Sequence, residues 1–253
     1  MRSWEEALQE HKEVLLSAGY KEENIVGIFA YGSQNYRVET ENSDWDTKAI
    51  VIPTYKELVL HPRISEELHL MNGEHCEVKD IREIVNMFKK QNINFLEILF
   101  TDYKWFGNPF YKVLWKVYFT DWNEHITHYS VNKTIQSICG QAIHTIKQNP
   151  MDGKKIANGY RLLRFLEKYL TGENYRNCIV LPEEDRRVII DLKTQVTKPN
   201  EEYGKNLIAE FEKIKERKYV EDKEIQSTVD GLMERAAMNF IQYYLTHYEK
   251  LFI

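Results

Sequence analysis

The sequence has little cysteine, no long apolar run and no excess of basic residues. Its three cysteines, Cys76, Cys139 and Cys178, lie far apart and lack CxxC spacing, which argues against a disulfide framework or a cysteine zinc site. No stretch approaches the roughly 18 apolar residues of a membrane span, and the first residues, MRSWEEALQE, are too acidic and polar for a signal peptide. These absences predict a cytoplasmic protein with no membrane partner.

Charge and missing motifs narrow the function classes further. The net charge of −5 argues against a protein that coats nucleic acid non-specifically. Acidic residues dominate positions 1–100 and basic ones positions 101–220, which fits an acidic metal-binding half facing a phosphate-binding half, or simply two domains with solvated charges. The GxSxG, HExxH and complete Walker A patterns are absent, so none of the enzyme classes that they define is indicated.

Residues 25–53 place two apolar runs on either side of a polar loop. The first run, residues 25–31, is typical of a buried strand and ends at Gly32, where glycine permits a sharp turn and close approach of an anion to backbone N–H groups. Ser33 adds a hydroxyl that can bind a phosphate. The second run, residues 47–52, is predicted to be the neighbouring strand.

Two carboxylates, Asp44 and Asp46, open the second apolar run. Residues two apart on a strand share a face, so both carboxylates point the same way and repel unless a cation lies between them. Mg²⁺ or Mn²⁺ suits such oxygen ligands and favours a site completed by substrate phosphates. The pattern predicts metal-assisted phosphoryl or nucleotidyl transfer, although Gly-Ser alone is typical of an ordinary turn and Asp-x-Asp alone of a solvated loop or cap.

The combined motif resembles that of a known superfamily. Gly32-Ser33, followed by Asp44-Trp45-Asp46, resembles the signature of the DNA polymerase β-like nucleotidyltransferases, and EVKDIR (residues 77–82) and NINFLEILF (residues 92–100) resemble the predicted RNA-repair-pathway polymerase β family. The resemblance covers roughly residues 25–105. It implies a nucleotidyltransferase fold with a Gly-Ser turn that holds the triphosphate of an NTP substrate, and two aspartates that bind two Mg²⁺ or Mn²⁺ ions.

The resemblance also implies a third catalytic and metal-binding carboxylate on a later strand, and this position falls on Glu77. The usual residue is aspartate, and the glycine often found shortly after Gly-Ser is missing, since Tyr36 is followed by Arg37. These departures leave open a non-catalytic nucleotide-binding sensor or antitoxin-like module. Glu77 is also compatible with an ordinary exposed strand residue, and His75 with either a neighbour of the site or the edge of a hairpin.

Several elements are predicted from local patterns. Ser3 is a plausible cap for a helix over residues 3–19, Asn72-Gly73 predicts a hairpin between residues 64–71 and 74–81, and Asp80 is the expected N-cap of a helix up to residue 90. A helical stripe ends the chain. Its members are Val229, Leu232, Met233, Ala236, Ala237, Phe240, Ile241, Tyr244, Leu245 and Tyr248.

The second half of the sequence is predicted to be helical. Gly107-Asn108-Pro109 is a breaker, so we expect a catalytic domain over residues 1–108 and a helical domain over residues 109–253. After a turn at residues 149–153, Lys154, Lys155 and Arg161 are spaced for one side of a helix, where they would hold a triphosphate or an RNA phosphate. A solvated basic stripe is the alternative.

The sequence thus predicts an α+β protein, a small mixed sheet with flanking helices followed by an all-helical part. The resemblance implies transfer of an NMP from an NTP to an RNA end, for example in tRNA repair. Transfer to a small molecule or to a protein side chain stays open, and the sequence does not indicate an oligomeric state.

Overall fold

The computed structural model describes residues 2–60 and 64–249, and within these ranges the strands form a five-stranded sheet. The strands are β1 (Ile25–Tyr31), β2 (Asp46–Val51), β3 (Ser65–His69), β4 (His75–Asp80) and β5 (Lys104–Phe106). Their order across the sheet is β3-β4-β2-β1-β5. The β2–β4 pair is parallel and the other pairs are antiparallel, so the expected small mixed sheet and α+β class are confirmed.

Helices surround the sheet and make up most of the second half of the chain. They are α1 (Trp4–Ser17), α2 (Ser33–Tyr36), α3 (Tyr55–Leu60), α4 (Ile81–Lys89), α5 (Ile93–Leu96), α6 (Pro109–Trp115), α7 (Asn123–Thr127), α8 (Val131–Gln148), α9 (Gly153–Leu170), α10 (Tyr175–Ile179), α11 (Glu183–Lys193), α12 (Glu201–Lys215) and α13 (Lys223–His247). Residues 22–24 and 97–99 form short 3₁₀ turns, and residues 116–120 continue α6 as a π-helical turn. Across residues 2–60 and 64–249, no helix combines the length and apolarity needed to span a membrane.

The predicted caps and hairpin are confirmed. Ser3 forms a capping box with Glu6 at the start of α1, which satisfies two otherwise unpaired backbone donors. The Asp80 side chain accepts a hydrogen bond of 2.7 Å from the backbone N–H of Arg82 and caps α4. Gly73 has a φ of 90° in the β3–β4 turn, a conformation that glycine adopts without strain.

The sequence prediction assigned neither α3 nor β5. β5 is three residues long and pairs antiparallel with β1, with Gly27 opposite Phe106. A Cβ on Gly27 would lie 2.6 Å from the carbonyl oxygen of Trp105, so the glycine lets the edge strand β5 lie close to β1. A strand this short depends on its partner and leaves almost no periodic signal.

The two faces of the sheet bury different clusters. Ile28, Ala49 and Val78 lie in a cluster with Leu15 of α1. On the opposite face, the ring of Phe29 stacks on Trp115 of α6 with centroids 4.4 Å apart, within a cluster that continues to α13. The sheet therefore separates α1 from the helical half.

Most of the predicted stripe on α13 is buried. Its buried members are Val229, Leu232, Met233, Ala236, Phe240 and Tyr244, whereas Ala237, Ile241 and Leu245 are partly buried and Tyr248 is 42% exposed. Because this stripe and the sheet belong to one cluster of buried side chains, the core crosses the predicted boundary at residue 108. The division into residues 1–108 and 109–253 stays a prediction.

Candidate functional site

Gly32 ends β1 in a backbone conformation that requires glycine. Its φ of 80° and ψ of −144° lie in a region that residues with a Cβ rarely adopt. A Cβ there would meet nothing within 4 Å, so the constraint is conformational and the space above the turn is open. Ser33 follows as the first residue of α2.

Trp45 fixes the two aspartates beside this turn. Its backbone N–H donates to Glu74 Oε1 at 3.0 Å, and its indole Nε1 donates to the Arg2 carbonyl at 3.1 Å. The ring is 4% exposed and packs against Trp4. Since side chains alternate along an extended chain, burial of Trp45 on one side turns Asp44 and Asp46 toward the other.

The turn, the aspartates and α9 line a common cleft of about 680 Å³. Of the residues predicted from the sequence, Gly32, Ser33, Asp44, Asp46, Lys154 and Arg161 lie in its wall. Glu77 and Lys155 are not among the described residues that line it. The structure thus brings together the sheet motif and two of the three predicted cations, which are far apart in sequence.

Burial and a neighbouring charge perturb the carboxyl group of Asp46. Burial, with the charge of Asp44 added, raises its pKa to about 6, while the backbone N–H of His75 donates a hydrogen bond to the carboxylate and opposes the rise. Its Oδ1 is buried and has no hydrogen-bond partner within residues 2–60 and 64–249. An unpartnered carboxylate oxygen beside a second carboxylate fits a divalent cation, which would supply the missing ligand and the missing charge.

Glu77 lies on the same face of the sheet as Asp46, but its carboxylate is engaged by lysines. Glu77 stands opposite Lys48 in the parallel β2–β4 register, and it forms an ion pair with Lys48 and a second with Lys79 at 3.1 Å. Burial alone would raise the pKa of Glu77, yet the two lysines lower it. Its role as a third metal-binding carboxylate stays a prediction.

Arg161 supplies a buried positive charge on the opposite wall. It is 4% exposed, and its guanidinium lies 3.7 Å from the ring centroid of Tyr36. The Nη2 group donates to Asn158 Oδ1 at 2.9 Å, whereas Nη1 is buried without a partner in the described part of the chain. A buried guanidinium with unused donors is suited to bind an anion such as phosphate.

Glu97 was not predicted as a site residue, yet it is a buried carboxylate behind the turn. Its Oε2 accepts a hydrogen bond of 3.4 Å from the backbone N–H of Gly32. Burial raises its pKa, and the charge of Arg161 and a hydrogen bond with Tyr36 oppose this rise. As the one charged residue in the apolar run of residues 95–100, Glu97 did carry a sequence signal, because a lone charge there must find buried partners.

Lys193 is a second residue that sequence reasoning missed. It closes α11 and lines the cleft, and its Nζ donates to the Val38 carbonyl at 2.8 Å. Burial and repulsion by Lys154 lower its pKa, while Asp44 opposes the shift. Nothing in the local sequence distinguishes Lys193 from an ordinary lysine in a last helical turn.

The predicted basic side of α9 divides between two surroundings. Lys154 and Arg161, seven positions apart and therefore on the same side of the helix, line the cleft. Lys155 instead donates to Gln148 Oε1 at 3.1 Å, and Arg164 pairs with Asp185 at 3.0 Å. The alternative of a basic stripe outside the site therefore describes part of this helix.

The cleft combines two carboxylates on the sheet side with three cations on the helical side. This arrangement can hold a divalent cation and a phosphorylated ligand together, each neutralising the other. Neither a protein-family model nor a curated protein sequence matches this chain.

Proposed function

We propose that this protein is a metal-dependent nucleotidyltransferase, which moves a nucleoside monophosphate from an NTP to an acceptor hydroxyl and releases pyrophosphate. The observation that carries the proposal is the buried, unpartnered oxygen of Asp46. It lies beside Asp44 in a cleft that also contains the Gly32-Ser33 turn and the buried Arg161. A carboxylate pair of this kind is unfavourable on its own and is understandable as a cation site.

The triphosphate would lie between the turn and the helical wall. The open space above Gly32 admits a phosphate close to the backbone, and Ser33 offers a hydroxyl. Arg161, Lys154 and Lys193 on the other wall would balance its negative charge. Because Arg161 is held by Tyr36 and Asn158, this donor group is oriented before the ligand arrives.

Asp44 and Asp46 would hold Mg²⁺ or Mn²⁺, two ions by the resemblance to polymerase β-like enzymes. When bound, such ions neutralise phosphate charge and lower the pKa of an attacking hydroxyl. The residues of the chain orient the reactants: the acceptor oxygen bonds to the α-phosphorus, and the bond from this phosphorus to the bridging oxygen breaks. The electron pair of that bond leaves with pyrophosphate, and the hydroxyl proton passes to a base.

Glu77 is the base or third ligand that the resemblance implies. In the arrangement described above, it would first have to exchange Lys48 or Lys79 for the acceptor or an ion. We therefore expect Glu77→Gln to reduce the rate less than Asp46→Asn does. The two lysine pairs also favour a second candidate function, a nucleotide-binding sensor that retains the cleft without turnover.

We propose an RNA end, such as that of a tRNA, as the acceptor. The support is the cationic wall of the cleft, which extends to the exposed Lys154 and could receive an RNA phosphate as well as the triphosphate. A small molecule or a protein side chain is the alternative acceptor.

The deciding experiment supplies wild-type protein with Mg²⁺ or Mn²⁺, each labelled NTP in turn and total cellular RNA, and follows label into RNA, protein and small molecules. We expect transfer by wild type and a loss of at least about 100-fold in Asp44→Asn and in Asp46→Asn. The matched control is Asp121→Asn, because Asp121 pairs with Lys116 on the surface and should leave transfer unchanged.

Two results would redirect the assignment. Transfer by either cleft variant within tenfold of wild type would contradict the catalytic role of the aspartates. Saturable NTP binding with neither label in any acceptor nor release of pyrophosphate would support the sensor.

A further inference from the structure

Three potential metal ligands lie together on the β3–β4 hairpin, outside the cleft wall. Glu67 and His69 of β3 and His75 of β4 each offer a ligand atom within 4.8 Å of the others. His69 stands directly opposite His75 in the antiparallel register, and Glu67, two residues before His69, shares its face of the strand. Pairing of the two strands, rather than any local motif, creates this cluster.

The two imidazoles point the same type of atom at one another. Nδ1 of His69 lies 2.9 Å from Nδ1 of His75, and Glu67 Oε1 lies 3.4 Å from the same His75 nitrogen. Two facing Nδ1 atoms need one proton between them, since two N–H groups would clash and two lone pairs would repel. A cation in place of that proton would bind both nitrogens and the carboxylate.

We propose that Glu67, His69 and His75 form a binding site for a first-row transition ion of the Zn²⁺ type. Neutral imidazole nitrogens and a carboxylate suit zinc, whereas Mg²⁺ and Ca²⁺ prefer oxygen ligands alone. The side chains are exposed enough for an ion to enter, with His75 37% and Glu67 59% exposed. Three protein ligands leave a coordination position for water or an incoming ligand.

The hairpin holds these ligands on regular backbone. Leu70 N–H donates to the Glu74 carbonyl at 2.9 Å, and Gly73 N–H donates to the Leu70 carbonyl at 3.0 Å, so the turn between the two histidines is closed. Ligands on paired strands are positioned more accurately than ligands on loops. An ion bound here would link the edge strand β3 to β4.

This site would differ from the carboxylate pair in both ligands and ion. Asp44 and Asp46 offer oxygens only, whereas the hairpin offers two nitrogens. The two places are neighbours, because the backbone N–H of His75 donates to the Asp46 carboxylate. The zinc proposal does not depend on nucleotidyl transfer.

The test titrates the full chain with Zn²⁺ in competition with a chromophoric zinc chelator. We expect one ion per chain in wild type and an affinity at least about tenfold lower in His69→Gln and in His75→Gln, with a smaller loss in Glu67→Gln. The matched control is His144→Gln, an exposed histidine on α8 that contacts Gln148, and it should bind Zn²⁺ as wild type does.

A second measurement separates a specific site from loose surface binding. Excess Zn²⁺ should raise the unfolding temperature of wild type and of His144→Gln but not that of the two hairpin variants, whereas the four proteins should unfold at similar temperatures in EDTA. Undiminished Zn²⁺ binding in both hairpin variants would overturn the proposal. If Asp46→Asn lost Zn²⁺ binding while His69→Gln retained it, the ion would belong to the cleft, and the hairpin proposal would also be overturned.

Discussion

Asp46 combines local instability with a proposed functional role. Its carboxylate is half-buried next to Asp44, and its pKa is raised to about 6 from an ordinary value of 3.8. Between these values the folded protein binds more protons at this group than the unfolded chain does. The contribution of Asp46 to stability therefore falls as the pH rises through this window. Residues selected for ion binding often carry such a cost.

We expect Asp46→Asn to stabilise the metal-free protein at pH 7. A pKa shift of this size corresponds to at most about 3 kcal/mol, and solvent screening at this partly exposed group will reduce it. The unfolding temperature should rise by several degrees. Thermal unfolding in EDTA, followed by circular dichroism at a series of pH values, measures the effect.

The same series contains its own control. Well below pH 3.8, the ordinary pKa of this carboxyl, it is protonated in both folded and unfolded chains, so wild type and Asp46→Asn should converge there. A variant that is less stable than wild type at pH 7, or a difference that does not change with pH, would contradict the electrostatic origin. Added Mg²⁺ should narrow the gap at pH 7 by stabilising wild type alone.

At this scale the sequence was informative wherever the candidate site depends on local geometry. Gly32-Ser33 and the aspartate pair could be recognised because a turn and an alternating strand place neighbouring residues predictably. The contacts of Glu97 with Gly32 and of Lys193 with Val38 could not be predicted, since these partners lie 65 and 155 positions away. The lysine partners of Glu77 likewise could not be predicted without the strand register, which places Lys48 opposite Glu77.

At the scale of elements, α9 shows how adjacent residues of one helix enter different surroundings. Lys154 lines the cleft, whereas Lys155, the next residue, is directed to Gln148 on α8. Adjacent residues on a helix point about 100° apart. The two lysines therefore form a matched pair for testing the proposed phosphate wall.

We expect Lys154→Gln to weaken NTP binding by about tenfold, the effect of losing one charge-assisted contact of roughly 1.5 kcal/mol, while Lys155→Gln leaves binding unchanged. Calorimetric titration of each variant with a non-hydrolysable NTP analogue and Mg²⁺ measures both. Equal effects of the two changes would indicate a diffuse electrostatic attraction, and so contradict a direct contact of Lys154. Repeating the titrations at higher salt separates these cases, because only diffuse attraction is strongly screened.

Long periodic elements were predicted more successfully than short ones. The α13 stripe and the capped helices α1 and α4 have enough turns for apolar spacing and cap residues to be unambiguous. β5 has three residues and is stabilised by pairing with β1, so its own sequence does not predict it. The hairpin was predicted from Asn72-Gly73, but the facing of His69 and His75 was not, because a register one residue different would separate them.

At the scale of the whole molecule, one buried cluster joins the two parts of the chain that the sequence predicts as separate domains. Phe29 of β1 stacks on Trp115 of α6, and Trp115 and Phe119 continue the contact to Phe240 of α13. The breaker at residues 107–109 therefore interrupts secondary structure without interrupting the buried cluster. Composition and periodicity report local structure, and they cannot show whether two apolar surfaces cover one another.

We expect the sheet and the helical half to unfold together. Phe29→Leu on the sheet and Phe240→Leu on α13 each remove buried ring contacts at a cost of about 1–2 kcal/mol. If the core is continuous, either change should lower hydrogen-exchange protection by the same factor in β1 and β2 as in α9 and α13. Mass spectrometry of exchange under native conditions resolves these elements separately, and Val220→Ala, at a fully exposed position, should change neither half. Protection that falls only on the mutated side of residue 108 would instead establish the two independent domains that the breaker predicts, with the proposed nucleotide cleft formed between them.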